Sequence, residues 1–326
     1  MVGCGWAGRR HADAYAATGA ELAWAVDPDP RRASALGAAA IAGQVGTVLA
    51  DPTLDALSVC VPHAIHAEIV LAALDAGKHV LVEKPIATTL ADADRMLAAA
   101  NRAGRQLMVA ENVYFDPLVE RVRALLDGDA IGRPALVQRT RAAWLQHAFT
   151  TQRRWFLDER AAGGGIMLAG GIHDVELLRL LLGEVVSVYA LRAPRRFAEM
   201  EGDDTSTALL RFASGAVGTL VESFVMKSLA TDGDLEVHTL RVDGEHGSLD
   251  VADAEHIRVF DERQPGVERI ERVPAVDTFV REIAHFLAVI RDDAAPRSDG
   301  RSQRRALQVV LAAYRSMATG EAVAVP

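Results

Sequence analysis

Cysteine is scarce in this chain: Cys4 and Cys60 are the only two in 326 residues. Two distant thiols exclude a disulfide scaffold and a cysteine-based zinc site, and they fit a reducing compartment. Positive charge is also in deficit, with 35 Lys and Arg against 44 Asp and Glu, a net charge of −9. That balance excludes a basic nucleic-acid footprint. The acid is not gathered into a tail, so it reads as a solubility feature. Apolar runs break well before the roughly 18 residues that a membrane span requires. No charged segment leads into a signal-like core. No tract is dominated by Gly, Ser or Gln, which excludes collagen-like and largely disordered chains. What is present, 50% hydrophobic and 24% charged residues, describes a globular cytoplasmic protein of about two domains at about 150 residues each.

The first third alternates short apolar runs with helical patterns. Glu21–Asp27, Ala56–Val61, His79–Val82 and Gln106–Ala110 read as strands. Between them Arg31–Leu36, Ala64–Ala76 and Leu90–Ala103 read as helices, the last two closing on Gly77 and Gly104. Strands spaced by helices imply βαβ crossovers and a parallel sheet. Beyond Pro117 and the helix Leu118–Leu126, strand-like segments follow with few helices between them. These are Ala135–Arg141, Val185–Arg192, Thr205–Phe212, Ala216–Val225, Val237–Val242 and Ile257–Phe260. That texture implies an antiparallel or mixed sheet. Helices are expected at Thr278–Arg291 and Ser302–Thr319. The fold class is therefore α/β, with residues 1–117 as a dinucleotide-binding domain. Residues 118–326 form an α+β domain, its last helices packing back on the first.

Gly3-Cys4-Gly5-Trp6-Ala7-Gly8 matches the dinucleotide fingerprint. Its first Gly permits the tight turn, its second lets the backbone approach a pyrophosphate, and its third lets helix and strand pack closely. The helix that follows would offer its amide donors to the phosphates. Asp27 ends the next strand, 19 residues after Gly8. A carboxylate there accepts from ribose hydroxyls and repels a 2′-phosphate, which favours NAD; Arg31 and Arg32 leave NADP as the alternative. Only two residues precede Gly3, where a first strand usually supplies about five. The first strand is thus expected to be short, as in a chain whose start lies late.

Three further segments carry a family resemblance. They are Val61-Pro62-His63-Ala64-Ile65-His66, then Ala76-Gly77-Lys78-His79-Val80-Leu81-Val82-Glu83-Lys84-Pro85, and Gly163-Gly164-Gly165-Ile166-Met167-Leu168-Ala169-Gly170-Gly171-Ile172-His173-Asp174-Val175-Glu176. In order and spacing the chain resembles the Gfo/Idh/MocA oxidoreductases, the glucose–fructose oxidoreductase and inositol dehydrogenase group. The resemblance implies a Rossmann domain followed by a domain with a large open mixed sheet, often the oligomer contact. It implies hydride transfer between nicotinamide and a secondary alcohol or ketone of a sugar, polyol or sugar derivative. By that resemblance Lys84 moves the hydroxyl proton, with Pro85 cis, and His173 relays or orients it. Lysine does this only where its pKa is lowered, and imidazole titrates near neutrality.

Many relatives have Asp at the position of Ala169, and alanine can neither hold substrate nor partner the histidine. Asp174 points about 100° away from His173 on a helix, whereas Glu176, three residues on, shares its face. Val61, Pro62, His66 and Glu83 are expected beside the cofactor. Asn112 and Tyr114 follow the Gln106–Ala110 strand at its ligand-facing end, and Arg154 and Trp155 suit a sugar ring. His63 and His66 lack a carboxylate or thiol cluster around them, so no metal is expected. Two other readings remain: an NADPH-linked ketosugar reductase of natural-product assembly, and a non-catalytic dinucleotide sensor. A homo-oligomer, dimer or tetramer, is expected, with no nucleic acid or membrane partner.

Overall fold

The computed structural model describes residues 1–226, 237–251, 253–264 and 268–326. The chain divides into two units. The first comprises Met1–Asn112, Thr151–Gly163 and Asp277–Leu307; the second comprises Val113–Thr150, Gly164–Val276 and Gln308–Pro326.

In the first unit lie strands β1 (Trp24–Val26), β2 (Ala40–Ala42), β3 (Ala56–Val59), β4 (His79–Glu83) and β5 (Leu107–Ala110). β1 pairs with β2, β3 with β4 and β4 with β5, all parallel. The first strand is reduced to Val2, which forms parallel bridges to Val26 of β1 and Val59 of β3. Its place is held by Val2 N–H donating to Ser58 O and Gly3 N–H to Val26 O, each at 2.8 Å. The order is thus β2-β1-Val2-β3-β4-β5. The Met1 α-amine donates to Trp24 O at 2.7 Å, and burial pushes its pKa down. Leu57, Val59, Val80, Leu81 and Val82 are fully buried, as a parallel sheet covered on both faces requires. The helix Leu90–Ala103 starts where the Thr89 hydroxyl accepts the Asp92 amide and stops at Gly104, φ +60°.

The second unit is built on nine strands. They are β6 (Pro134–Ala142), β7 (Val185–Arg192), β8 (Thr205–Phe212), β9 (Val217–Ser223), β10 (Val237–Gly244), β11 (Gly247–Val251), β12 (His256–Asp261), β13 (Glu268–Arg272) and β14 (Val323–Ala324). Their order is β13-β12-β11-β10-β6-β9-β8-β7-β14. β6 runs parallel to β9 and every other pair is antiparallel, so the sheet is mixed. β8 alternates buried Ser206, Ala208, Leu210 and Phe212 with exposed Thr207, Leu209 and Arg211, the signature of one covered face. The helix Gly171–Leu182 is buried along nearly its whole length.

Thr205–Phe212, Val185–Arg192, Leu90–Ala103 and Thr278–Arg291 fall where the patterns place them. The strand expected over Glu21–Asp27 is confined to Trp24–Val26. The sequence pattern misses β2, β11, β13, β14 and the helix Gln146–Thr151. β13, Glu268-Arg269-Ile270-Glu271-Arg272, is mostly exposed and charged, so it has no apolar period to read. Among the described residues, no helix is long and apolar enough to cross a membrane.

Gly8 is fixed by packing, because a Cβ there would lie 2.0 Å from Gly3 O, whereas a Cβ on Gly5 meets nothing within 4 Å. Gly8→Ala is expected to cost about 3 kcal/mol in urea unfolding, and Gly5→Ala no more than about 1 kcal/mol. Equal losses from the two would contradict this account of the loop.

Candidate active site

The glycine loop divides its work between packing and open space. Gly3 sits at φ +85°, and a side chain on it would strike Cys60 O at 2.3 Å; only glycine meets both demands. Gly5 caps the helix Trp6–Ala17 and leaves room in front of the helix's free amide groups. No carboxylate occupies its first turn, Trp6-Ala7-Gly8-Arg9. A cradle that a Cβ would fill, before the positive end of a 12-residue helix, fits a pyrophosphate.

Asp27 is tied to that loop. One carboxylate oxygen accepts the Cys4 amide and the other the Asp29 amide, both at 2.9 Å. Each carboxylate oxygen retains further acceptor capacity, so hydroxyl donors can still be taken. Arg31 grips Asp29 through two nitrogens at 3.2 Å. Burial, then the Asp27 charge, raises the Cys4 thiol to about 11, which leaves it protonated and unreactive.

β4 delivers the next group. At its end Glu83 meets His11 Nε2 at 3.2 Å and accepts the Lys84 backbone N–H at 3.2 Å. The Lys84–Pro85 bond is cis, as the resemblance implies. Behind Glu83 the contacts continue from His11 Nδ1 to Ser58 (3.4 Å) and from Ser58 to Tyr15 (2.8 Å). Glu282 is fully buried beside this chain. Burial, then the charges of Glu83 and Glu111, pushes its carboxyl well above the usual range. His11, Cys60 and Glu83 present ligand atoms within 4.8 Å of one another. Burial pushes the Cys60 thiol well up.

The two histidines ahead of Lys84 are packed, not solvated. His66 faces Pro85 O at 2.9 Å and Val61 O at 3.0 Å. His63 contacts Ala162 O at 2.7 Å and meets the Trp155 ring edge-on at 4.7 Å. Burial lowers both, and His63 is pushed down further by the charges of His66 and Lys84. Lys84 is thus electrostatically close to both rings. Pro62 precedes the short helix His63–Ile65. Trp155 stacks on Phe156 at 3.9 Å, and Arg154 begins their short helix Arg154–Leu157. Arg153 lies over the Trp6 ring, 4.4 Å from its centroid, an attraction of about 0.5–1 kcal/mol. Asn112 Nδ2 donates to Thr278 at 3.2 Å.

In the second unit the triple-glycine segment is clamped. The Gly165 amide donates to Asp203 (3.1 Å) and to the Tyr314 hydroxyl (2.9 Å), and Met167 and Leu168 amides reach the same two residues. A Cβ on Gly164 would lie 2.5 Å from the Tyr314 hydroxyl, and one on Gly165 2.0 Å from Asp203 O. Ala169 follows, buried, and the His173 amide donates to Gly170 O at 3.0 Å. Tyr114 donates to the Glu176 carboxylate, which also accepts from Arg179. Asp174 accepts from Arg139 at 2.7 Å.

Within the first unit the structure gathers Gly3 to Gly8 with Asp27, and Val61, His66, Glu83 and Lys84 with Trp155 by way of His63. Within the second it joins Tyr114 to Glu176 on the helix that carries His173. Sequence reasoning missed His11, Asp203, Glu222, Glu282 and Tyr314. His11 follows Gly8 by three residues, the one positional signal that it faces the sheet. The others gave none, because their partners are far away in the chain.

Comparison with known proteins agrees with this geometry. The family profile described as "Oxidoreductase family, NAD-binding Rossmann fold" matches residues 1–111, and the GFO/IDH/MocA C-terminal domain matches residues 119–250. D-apiose dehydrogenase of Paraburkholderia graminis is 30% identical over 99% of this chain and 88% of its own. D-xylose 1-dehydrogenase (NADP(+)) 2 of Haloferax volcanii is 30% identical over 93% of this chain and 91% of its own. A levoglucosan dehydrogenase solved with NADH and levoglucosan superposes with a TM-score of 0.90 at 22% identity, covering 100% of this chain and 98% of that one. With a parallel sheet led by a glycine loop and a large mixed sheet after it, the chain belongs to the Gfo/Idh/MocA family of oxidoreductases and is an NAD(P)-dependent dehydrogenase or reductase acting on CH–OH groups.

Proposed function

We propose that this enzyme uses NAD to interconvert a secondary alcohol and a ketone on a sugar, polyol or sugar derivative, with Lys84 and His173 as its catalytic residues. The observation that carries the reading is the end of β4, where Glu83 is held by His11 and by the Lys84 amide. An amine just past the carboxyl end of a parallel strand stands where open α/β sheets take their ligands. The relatives' names, D-apiose and D-xylose dehydrogenases, support the substrate class.

Bound NAD supplies the hydride acceptor or donor. Residues 3–8 would hold its pyrophosphate, Gly5 by leaving space and the following helix by its amides. Asp27 would read the ribose hydroxyls. The Arg31 guanidinium is engaged by Asp29, which supports NAD over an NADPH-linked reductase. Val61, Pro62, His66, Glu83 and Asn112 would line the cofactor. Lys84 takes the hydroxyl proton in oxidation and returns it in reduction, and burial lowers the pKa of the neighbouring His63 and His66. His173 orients or relays that proton, Tyr114, Arg154 and Trp155 would hold the substrate, and Ala169 would line its place without a polar contact. Retention of Lys84 and His173 argues against a non-catalytic sensor.

Residues 1–117 are proposed as the dinucleotide-binding domain and 118–326 as the substrate and oligomerisation domain. Val186, Leu191, Leu209 and Val217 are exposed on β7, β8 and β9. Such a sheet face supports a homo-oligomer, a dimer or tetramer.

Lys84→Ala is expected to lower kcat by about 10²–10⁴-fold while NADH affinity, read by calorimetry, changes little. Undiminished turnover would remove Lys84 from the reaction. In sedimentation, the native protein is expected as a multiple of 34.9 kDa, with Leu209→Glu shifting it toward the monomer. A native monomer would refute the oligomer.

A further inference from the structure

The inner face of the nine-stranded sheet carries a buried polar cluster beneath the helix Gly171–Leu182. Strand register sets three side chains abreast: His238 of β10 opposite Arg141 of β6, and Arg141 opposite Glu222 of β9. Arg139, two residues before Arg141 on the same face, donates to Asp174 at 2.7 Å and contacts His238 Nδ1 at 3.1 Å. Asp174 descends from the helix close to Glu222, near enough for the two carboxyl groups to act on one another. Glu222 is 0% exposed. It lies under the helix start: a Cβ on Gly170 would be 3.0 Å from Glu222 Oε2, and one on Gly171 3.5 Å from its Cγ.

Were both carboxylates ionised, Asp174 Oδ2 and both Glu222 oxygens would be buried without a donor. Such an arrangement is costly, and a single proton on Glu222, donated to Asp174 Oδ2, pairs one oxygen of each carboxyl group. The surrounding charges agree. Burial, then the Asp174 charge, pushes Glu222 well above the usual carboxylate range. Against the upward push of burial, Arg139 holds Asp174 below it. The groups that face Glu222 are Asp174 from the helix, Arg139 and Arg141 from β6, and His238, reached through both arginines, from β10.

We propose that Glu222 is a positioning residue for His173. It lies against the chain on both sides of that histidine, under Gly170 and Gly171 before it and beside Asp174 after it. Ala169 brings no carboxylate to this turn; Glu222 brings one from the sheet, in its protonated form. The two glycines make room for it. The functional weight of this positioning rests on the catalytic role proposed for His173, but the positioning itself does not.

The test follows the His173 imidazole by NMR in histidine-labelled protein, its resonance assigned by its loss in His173→Gln. Glu222→Gln keeps a donor toward Asp174, so between pH 6 and 8 its His173 shift and titration should match the wild type. Glu222→Ala should move the His173 pKa by about half a unit or more. If Glu222→Ala does not fold, Glu222→Met takes its place, similar in reach and without a hydrogen-bonding end. A His173 titration unchanged in the Ala or Met variant, with only the melting temperature lowered, overturns the proposal. So does a Gln variant as perturbed as Ala. Should His173→Gln keep wild-type turnover, the catalytic reading fails while the positioning of His173 stands.

Discussion

The hydrogen bond from the Cys4 amide to the Asp27 carboxylate, 2.9 Å long, joins the two halves of the dinucleotide signature. Gly3 must approach Cys60 O and Gly8 must approach Gly3 O for the loop to close. Closure then aims the Cys4 N–H at the end of β1. The acid that would read the ribose and the amides that would hold phosphate are therefore one rigid object. Its rigidity comes from backbone contacts that no side chain can occupy.

Buried ionisable groups recur elsewhere, each solved differently. Lys78 donates to Asp51 O at 2.7 Å and Leu54 O at 2.8 Å, so one lysine of the segment Gly77–Pro85 is a strut while Lys84 is the proposed base. Glu282 is left without a hydrogen-bond partner, and burial and neighbouring acids push its carboxyl well above the usual range. At Glu222 burial and the charge of Asp174 push the carboxyl well above the usual range. Such groups cost stability unless paired or neutral. Glu282 near Glu83 and Glu222 beneath the helix of His173 fit the pattern expected where geometry, rather than stability, is being held.

Much of this was legible in the chain. The helix Leu90–Ala103 announces itself through Thr89, Asp92 and Gly104, local chemistry that needs no tertiary context. Gly3 to Gly8 and Asp27 are readable because their spacing encodes one loop and one strand. Other features were invisible for physical reasons. The triple glycine reads as an approach to His173, yet Gly164 and Gly165 are glycine because Tyr314 and Asp203 occupy the space. Tyr314 itself reads only as an apolar position in the last helix, since its hydroxyl partners lie more than a hundred residues away. The contact of Arg153 with Trp6 was invisible too, because spacing alone does not show which ring an arginine on an irregular turn will meet.

The most direct measurement is calorimetric titration of the apo protein with NADH and, separately, with NADPH. With Asp27 anchored to the Cys4 amide and Arg31 engaged by Asp29, NADH is predicted to bind more tightly. Asp27→Ala should narrow the difference. Tighter binding of NADPH would contradict the account, because a carboxylate fixed in that place cannot accommodate a 2′-phosphate.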